Sequence, residues 1–175
     1  MPSSCVSLTA LWAGSGGRRP NKALQPTRRR EWELRQGDEL VAELSLPALR
    51  SGGSARAGER ELEIATHGLF KREHVLADAG SGEEVARIRG HTVDLRGVER
   101  AEWKSLGRRE GHGFVGPDGE PWLRAKVSSG LVRTTGQVEI AAGHDPALPA
   151  LIAAYLLIRK ADEAAAAASA TVAAT

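Results

Sequence analysis

Six basic residues, Lys71, Arg72, Arg87, Arg89, Lys126 and Arg133, lie in short stretches where apolar and polar residues alternate. Brought side by side, their ammonium and guanidinium groups could make charge-assisted hydrogen bonds to a phosphate. They are the candidate lipid- or anion-binding residues of this chain. The acids Glu73, Glu84 and Glu139 are interleaved with them. That pattern also fits mixed cross-strand ion pairs on an outer sheet face, and the sequence leaves both arrangements open.

Other chemistries find little support. The chain has no Gly-x-Ser-x-Gly elbow, and its single cysteine, Cys5, lies near the start, so no nucleophile suggests itself. One cysteine also excludes an intrachain disulfide and a cysteine-rich zinc site. His67, His74, His91, His112 and His144 occur singly, without His-x-x-x-His or His-Glu-x-x-His spacing. They read as strand or turn residues rather than metal ligands. Gly80-Ser81-Gly82 and Gly111-His112-Gly113 lack the Gly-Lys-Ser/Thr and helix of a phosphate loop, and read as hairpin turns. The expectation is therefore no catalytic residue, no metal, no cofactor and no enzymatic activity.

The elements that must position the basic residues are short strands. A chain of 175 residues suits one domain with tails. Its 20 glycines and 8 prolines imply frequent turns. From Glu31 onward, Trp32, Leu34, Leu40, Ala42, Leu44 and Leu46 alternate with polar residues around Gly37-Asp38, which predicts a hairpin. Residues 48–59 are Gly/Ser/Arg-rich and read as a loop. Similar alternation continues through Ile64, Leu76, Ile88, Val93, Trp103, Phe114, Leu123 and Ile140. The stretch Gly82 to Ile88 parallels Gly119 to Ala125, with Asp38 to Leu44 as a looser copy, so one turn-plus-strands unit recurs. About ten to twelve short strands at this spacing suit a barrel or sandwich.

Residues 1–30 carry six basic residues and no acid, whereas residues 31–161 are net −2. The excess positive charge lies outside the patterned region, so the patterned core is not expected to bind nucleic acid. Residues 1–30 read as a disordered leader. Their tract Pro20 to Thr27 resembles translated sequence upstream of unrelated bacterial reading frames, which places the expected start near Glu31. No Lys or Arg precedes the weakly apolar run Val6 to Ala13, unlike a secretory signal. No stretch reaches the ~20 apolar residues of a membrane span.

One helix decides the fold class. Prolines 146 and 149 suit a first helical turn, and Leu151 to Ile158 is apolar on every side. A helix apolar all round must be enclosed. Over residues 146–160 it would measure about 22 Å, the length of a strand of about six or seven residues. Leu148, Leu151, Ile152, Tyr155, Leu156, Leu157 and Ile158 are expected in its buried surface. Arg159-Lys160 complement the helix dipole, and residues 162–175 form an Ala-rich tail that either extends the helix into solvent or frays. The expected fold is mainly β: a closed antiparallel β-barrel of about 10–12 short strands around this central C-terminal helix.

Gly68-Leu69-Phe70-Lys71-Arg72, Val75-Leu76-Ala77-Asp78, Glu84-Val85-Ala86-Arg87-Ile88 and the helix Leu148 to Lys160 together resemble the tubby C-terminal-like superfamily. That group includes LURP-one-related proteins and phospholipid scramblases, and the likeness is to small bacterial members over Glu31 to Ala161. The resemblance implies a barrel of about twelve strands with the helix threaded through it, and a role in binding phospholipid. The expected function is a non-enzymatic binding or accessory module engaging anionic phospholipid headgroups at a membrane surface. The alternative is a soluble scaffold that binds an unknown protein and has no lipid role. The expected location is the cytoplasm, peripheral to the membrane.

Overall fold

The computed structural model describes residues 4–9, 29–47, 52–68, 72–97, 100–107, 109–129, 134–141 and 146–172. Its strands are β1 (Ser4–Thr9), β2 (Arg29–Gln36), β3 (Glu39–Pro47), β4 (Gly53–Ala57), β5 (Arg60–His67), β6 (Glu73–Asp78), β7 (Glu84–Arg89), β8 (Thr92–Leu95), β9 (Ala101–Gly107), β10 (Gly111–Val115), β11 (Pro121–Ser129) and β12 (Thr134–Ile140). Helix α1 (Ala147–Val172) follows. Strands β2 to β12 form one antiparallel sheet in which each strand pairs with its sequence neighbours. The mainly β class with one C-terminal helix follows the sequence pattern.

Alternation sets which face is buried. In the β2–β3 hairpin, Trp32 opposes Leu44 and Leu34 opposes Ala42. All four are buried, while Glu33 and Glu43 oppose each other on the other face. Gly37, Gly82 and Gly119 each adopt positive φ, 61°, 70° and 83°, in the turn two residues before a strand. Glycine enters this region without a steric penalty.

The sheet wraps its apolar face around α1. Ala150, Leu151, Ile152, Ala153 and Ala154 are 0% exposed, and Tyr155, Leu157 and Ile158 are buried too. Inward residues from β2 through β12 join them in one cluster. The helix comes nearest β3, with β4, β11 and β12 also close. There the facing pairs carry small residues, Ala42 opposite Ala57 and Leu44 opposite Ala55. Small side chains let a helix axis approach a sheet closely while keeping the interior dense.

Two expectations need correction. The expected leader contains β1, which runs in antiparallel register with β12 over Ser4–Thr9 and with β2 over Ser7–Thr9. It also contains the first two residues of β2. Val6 and Leu8 alternate with polar neighbours, a strand signal too short to stand out beside the Gly/Arg-rich residues after it. The expected loop 48–59 contains β4, whose inward positions are only alanine, so its alternation carries little hydrophobic contrast. Of the two alternatives for the Ala-rich segment, the helix takes extension: it continues beyond residue 160 to Val172, because alanine has the highest intrinsic helix propensity.

Candidate functional site

Where α1 leaves the sheet it carries Leu156, Arg159, Lys160 and Glu163. Their spacing of three, four and seven residues puts them on one helix face. They line a cleft of about 1060 Å³ together with residues from one end of the sheet. From the start of β6 come Arg72, Glu73 and His74. The β7–β8 turn supplies Ile88, Arg89 and His91. Trp103 and Ser105 of β9 and His112 of β10 complete the wall. Register explains the grouping: Glu73 opposes Arg89, His74 opposes Ile88, and His112 opposes Ser105.

The floor is apolar and aromatic. The Trp103 ring stacks on His112 at 5.6 Å between centroids and meets Phe114 edge-on at 5.0 Å. A register shift between Gly111 and His112 marks a bulge at the cleft rim. Gly111 has φ +81°, and a Cβ there would lie 2.4 Å from the Ala125 carbonyl oxygen. Only glycine fits that bulge, and bulges re-aim neighbouring side chains.

Two histidines are tied to the helix. The His74 Nδ1 lies 2.9 Å from the Tyr155 hydroxyl and 2.9 Å from the Thr66 hydroxyl. Burial, then the Arg159 and Arg72 guanidiniums, hold His74 below the ordinary histidine value, so it stays neutral at pH 7. The His112 Nε2 accepts a hydrogen bond from the Lys160 ammonium at 2.5 Å. Burial and that ammonium lower the His112 value as well. Tyr155→Phe leaves the buried His74 Nδ1 with only the Thr66 hydroxyl. It is expected to cost about 0.5–1.5 kcal/mol in a urea melt. An unchanged midpoint would show that the buried hydroxyl contributes nothing.

Outside the cleft lining, Arg30 of β2 makes a bidentate pair with Asp162 of α1 at 2.5 Å for each bond. Its guanidinium lies 5.3 Å from the Trp32 ring centroid. This contact fixes the helix against β2 as it emerges.

The structure divides the six predicted residues. Arg72 and Arg89 line the cleft. Arg87 is occupied elsewhere, bonded to Glu84 and Glu73 through contacts on the outer face. Lys126 lies on β11 in a separate shallow hollow with Arg109, Glu110, Arg124 and Glu139. It therefore does not join Arg72 and Arg89, because β11 is four strands from β7 in the sheet. Lys71 and Arg133 lie outside the described residues. Sequence reasoning missed Arg159, Lys160 and His112. The signal is the helix-face spacing of Leu156, Arg159, Lys160 and Glu163, which the dipole role of Arg159-Lys160 alone does not reveal.

Leu156 also departs from expectation. It is partly exposed and lines the cleft rather than being walled off. Among the described residues, no group of three or more His, Cys, Asp or Glu side chains could hold a metal ion. Among the described residues, no helix is long and apolar enough to cross a membrane. No protein-family model, curated protein or solved structure matches this chain.

Proposed function

We propose that this chain is a non-enzymatic binding module that engages anionic phospholipid at a membrane surface through the cleft at the helix exit. One observation carries the reading: Arg72, Arg89, Arg159 and Lys160 converge over an apolar floor at one open end of the sheet. Several cations on the outer face are paired with acids. Arg56 pairs with Glu43 at 2.6 Å and Lys104 with Glu102 at 2.5 Å, and Arg96 bonds Glu83. Exposed pairs of this kind add little stability, but they occupy cations outside the cleft, and the hollow around Arg109, Arg124 and Lys126 is smaller and holds two acids, Glu110 and Glu139. Basic residues near an anionic leaflet contribute about 1 kcal/mol each.

The same reading extends the superfamily likeness to architecture. β1 closes the wall between β12 and β2, so that the strands form a closed barrel around α1. The protein then acts as a peripheral module on the cytoplasmic face. Vesicle flotation tests the function. The protein is expected to float with phosphatidylcholine vesicles containing phosphatidylserine and not with phosphatidylcholine alone. Raising the salt should reduce recovery, since it shortens the screening length. Equal recovery with both vesicles would remove the lipid role.

A further inference from the structure

The fixed charges of the cleft do not balance. Four cations, Arg72, Arg89, Arg159 and Lys160, face two acids, Glu73 and Glu163. Glu73 is already bonded to Arg87 from outside the cleft and lies 3.3 Å from Arg89. Glu163 reaches Arg159 only at 3.7 Å. The Arg159 Nε is buried without a hydrogen-bond partner. Lys160 bonds an imidazole rather than a carboxylate. Among the described residues, Arg72 has no ion-pair partner. The cleft thus holds two uncompensated positive charges and several unused donors.

Beneath these donors lie Ile88, Trp103 and Leu156. The volume, about 1060 Å³, is at the upper end of small-molecule pockets, which run to about 1,000 Å³. A bare phosphate would meet the charges and leave the floor empty. A phosphate monoester carries about −1.5 to −2 at pH 7 and three strong acceptor oxygens. A diester carries one negative charge and two such oxygens. Guanidinium forks pair best with a group that offers several acceptors in one plane.

We infer that the cleft takes a phosphate monoester bearing an apolar body, in preference to a phosphodiester with the same body. This rests on the anionic-lipid reading and specifies the headgroup within it. Arg72, Arg89 and Arg159 supply the forks, Lys160 the point charge, and Ile88, Trp103 and Leu156 receive the first part of the apolar body.

Isothermal titration at pH 7 and fixed salt tests this on the full chain. The probes are dihexanoyl phosphatidate, dihexanoyl phosphatidylglycerol and inorganic phosphate, each as monomers in solution. Phosphatidate is expected to bind about tenfold more tightly than phosphatidylglycerol, the worth of one more charge-assisted hydrogen bond. It is also expected to exceed inorganic phosphate by at least that factor. Arg72→Gln combined with Lys160→Gln should abolish the preference between the two lipids with an unchanged melting temperature. Equal affinity for the two lipids would overturn the monoester inference and leave the lipid reading standing. Inorganic phosphate binding as tightly as phosphatidate would overturn the part played by the floor. Binding of neither lipid would remove the inference and the reading beneath it together.

Discussion

Leu151→Asp is expected to yield a chain with no cooperative thermal transition. Leu151 is 0% exposed at the centre of α1, among Ala150, Ile152 and Ala154, which are equally enclosed. Truncating such a leucine to alanine alone costs about 2–5 kcal/mol. The aspartate adds an unpaired carboxyl where no partner exists, at several kcal/mol more. The sum is comparable with the whole stability of an ordinary domain, about 5–15 kcal/mol. Leu156→Asp provides the internal contrast. Its side chain opens onto the cleft, so the charge keeps access to water and the loss should be about 1–3 kcal/mol. Circular dichroism melts of both variants check this. A soluble Leu151→Asp protein that melts cooperatively would mean that the strands do not enclose the helix.

Removal of residues 1–9 is expected to lower the melting temperature by roughly 10 °C or more. β1 contributes six paired positions to β12 and three to β2. Each net backbone hydrogen bond is worth about 0.5–1.5 kcal/mol, and 1 kcal/mol moves the midpoint of a domain this size by about 2–4 °C. In the closed barrel we propose, its loss also turns β2 and β12 into two open edges, which invites aggregation. A melting temperature equal to that of the intact chain would show that the two strands need nothing between them. It would contradict the closed wall we propose.

What the sequence showed and what it hid follow from contrast. Trp32, Leu34, Ala42 and Leu44 alternate with charged residues, so the β2–β3 hairpin and its buried face were legible. The apolar run in α1 demanded an enclosure, and the structure supplies one from strands. β4 escaped notice because Ala55 and Ala57 barely differ in hydrophobicity from the Gly/Ser residues around them. They are small because the helix passes close by, a constraint visible only once the helix is in place. Half of the candidate site was legible as well. Arg72 and Arg89 were named, but Arg87 looks no different in sequence. Only cross-strand register puts Glu73 beside it. Arg159 and Lys160 reach the same cleft because the helix leaves the sheet there, a long-range fact that no local pattern encodes.

The central claim is that the cations at the helix exit, and not the protein's general charge, hold the anionic surface. Its most direct measurement is flotation of the Arg72→Glu, Lys160→Glu double variant beside the wild type on phosphatidylserine-containing vesicles. Both side chains reach solvent at the cleft rim, so the fold and melting temperature should be preserved. The wild type is expected to float and the variant to stay in the bottom fraction. Equal flotation of the two proteins would place lipid binding somewhere other than this cleft.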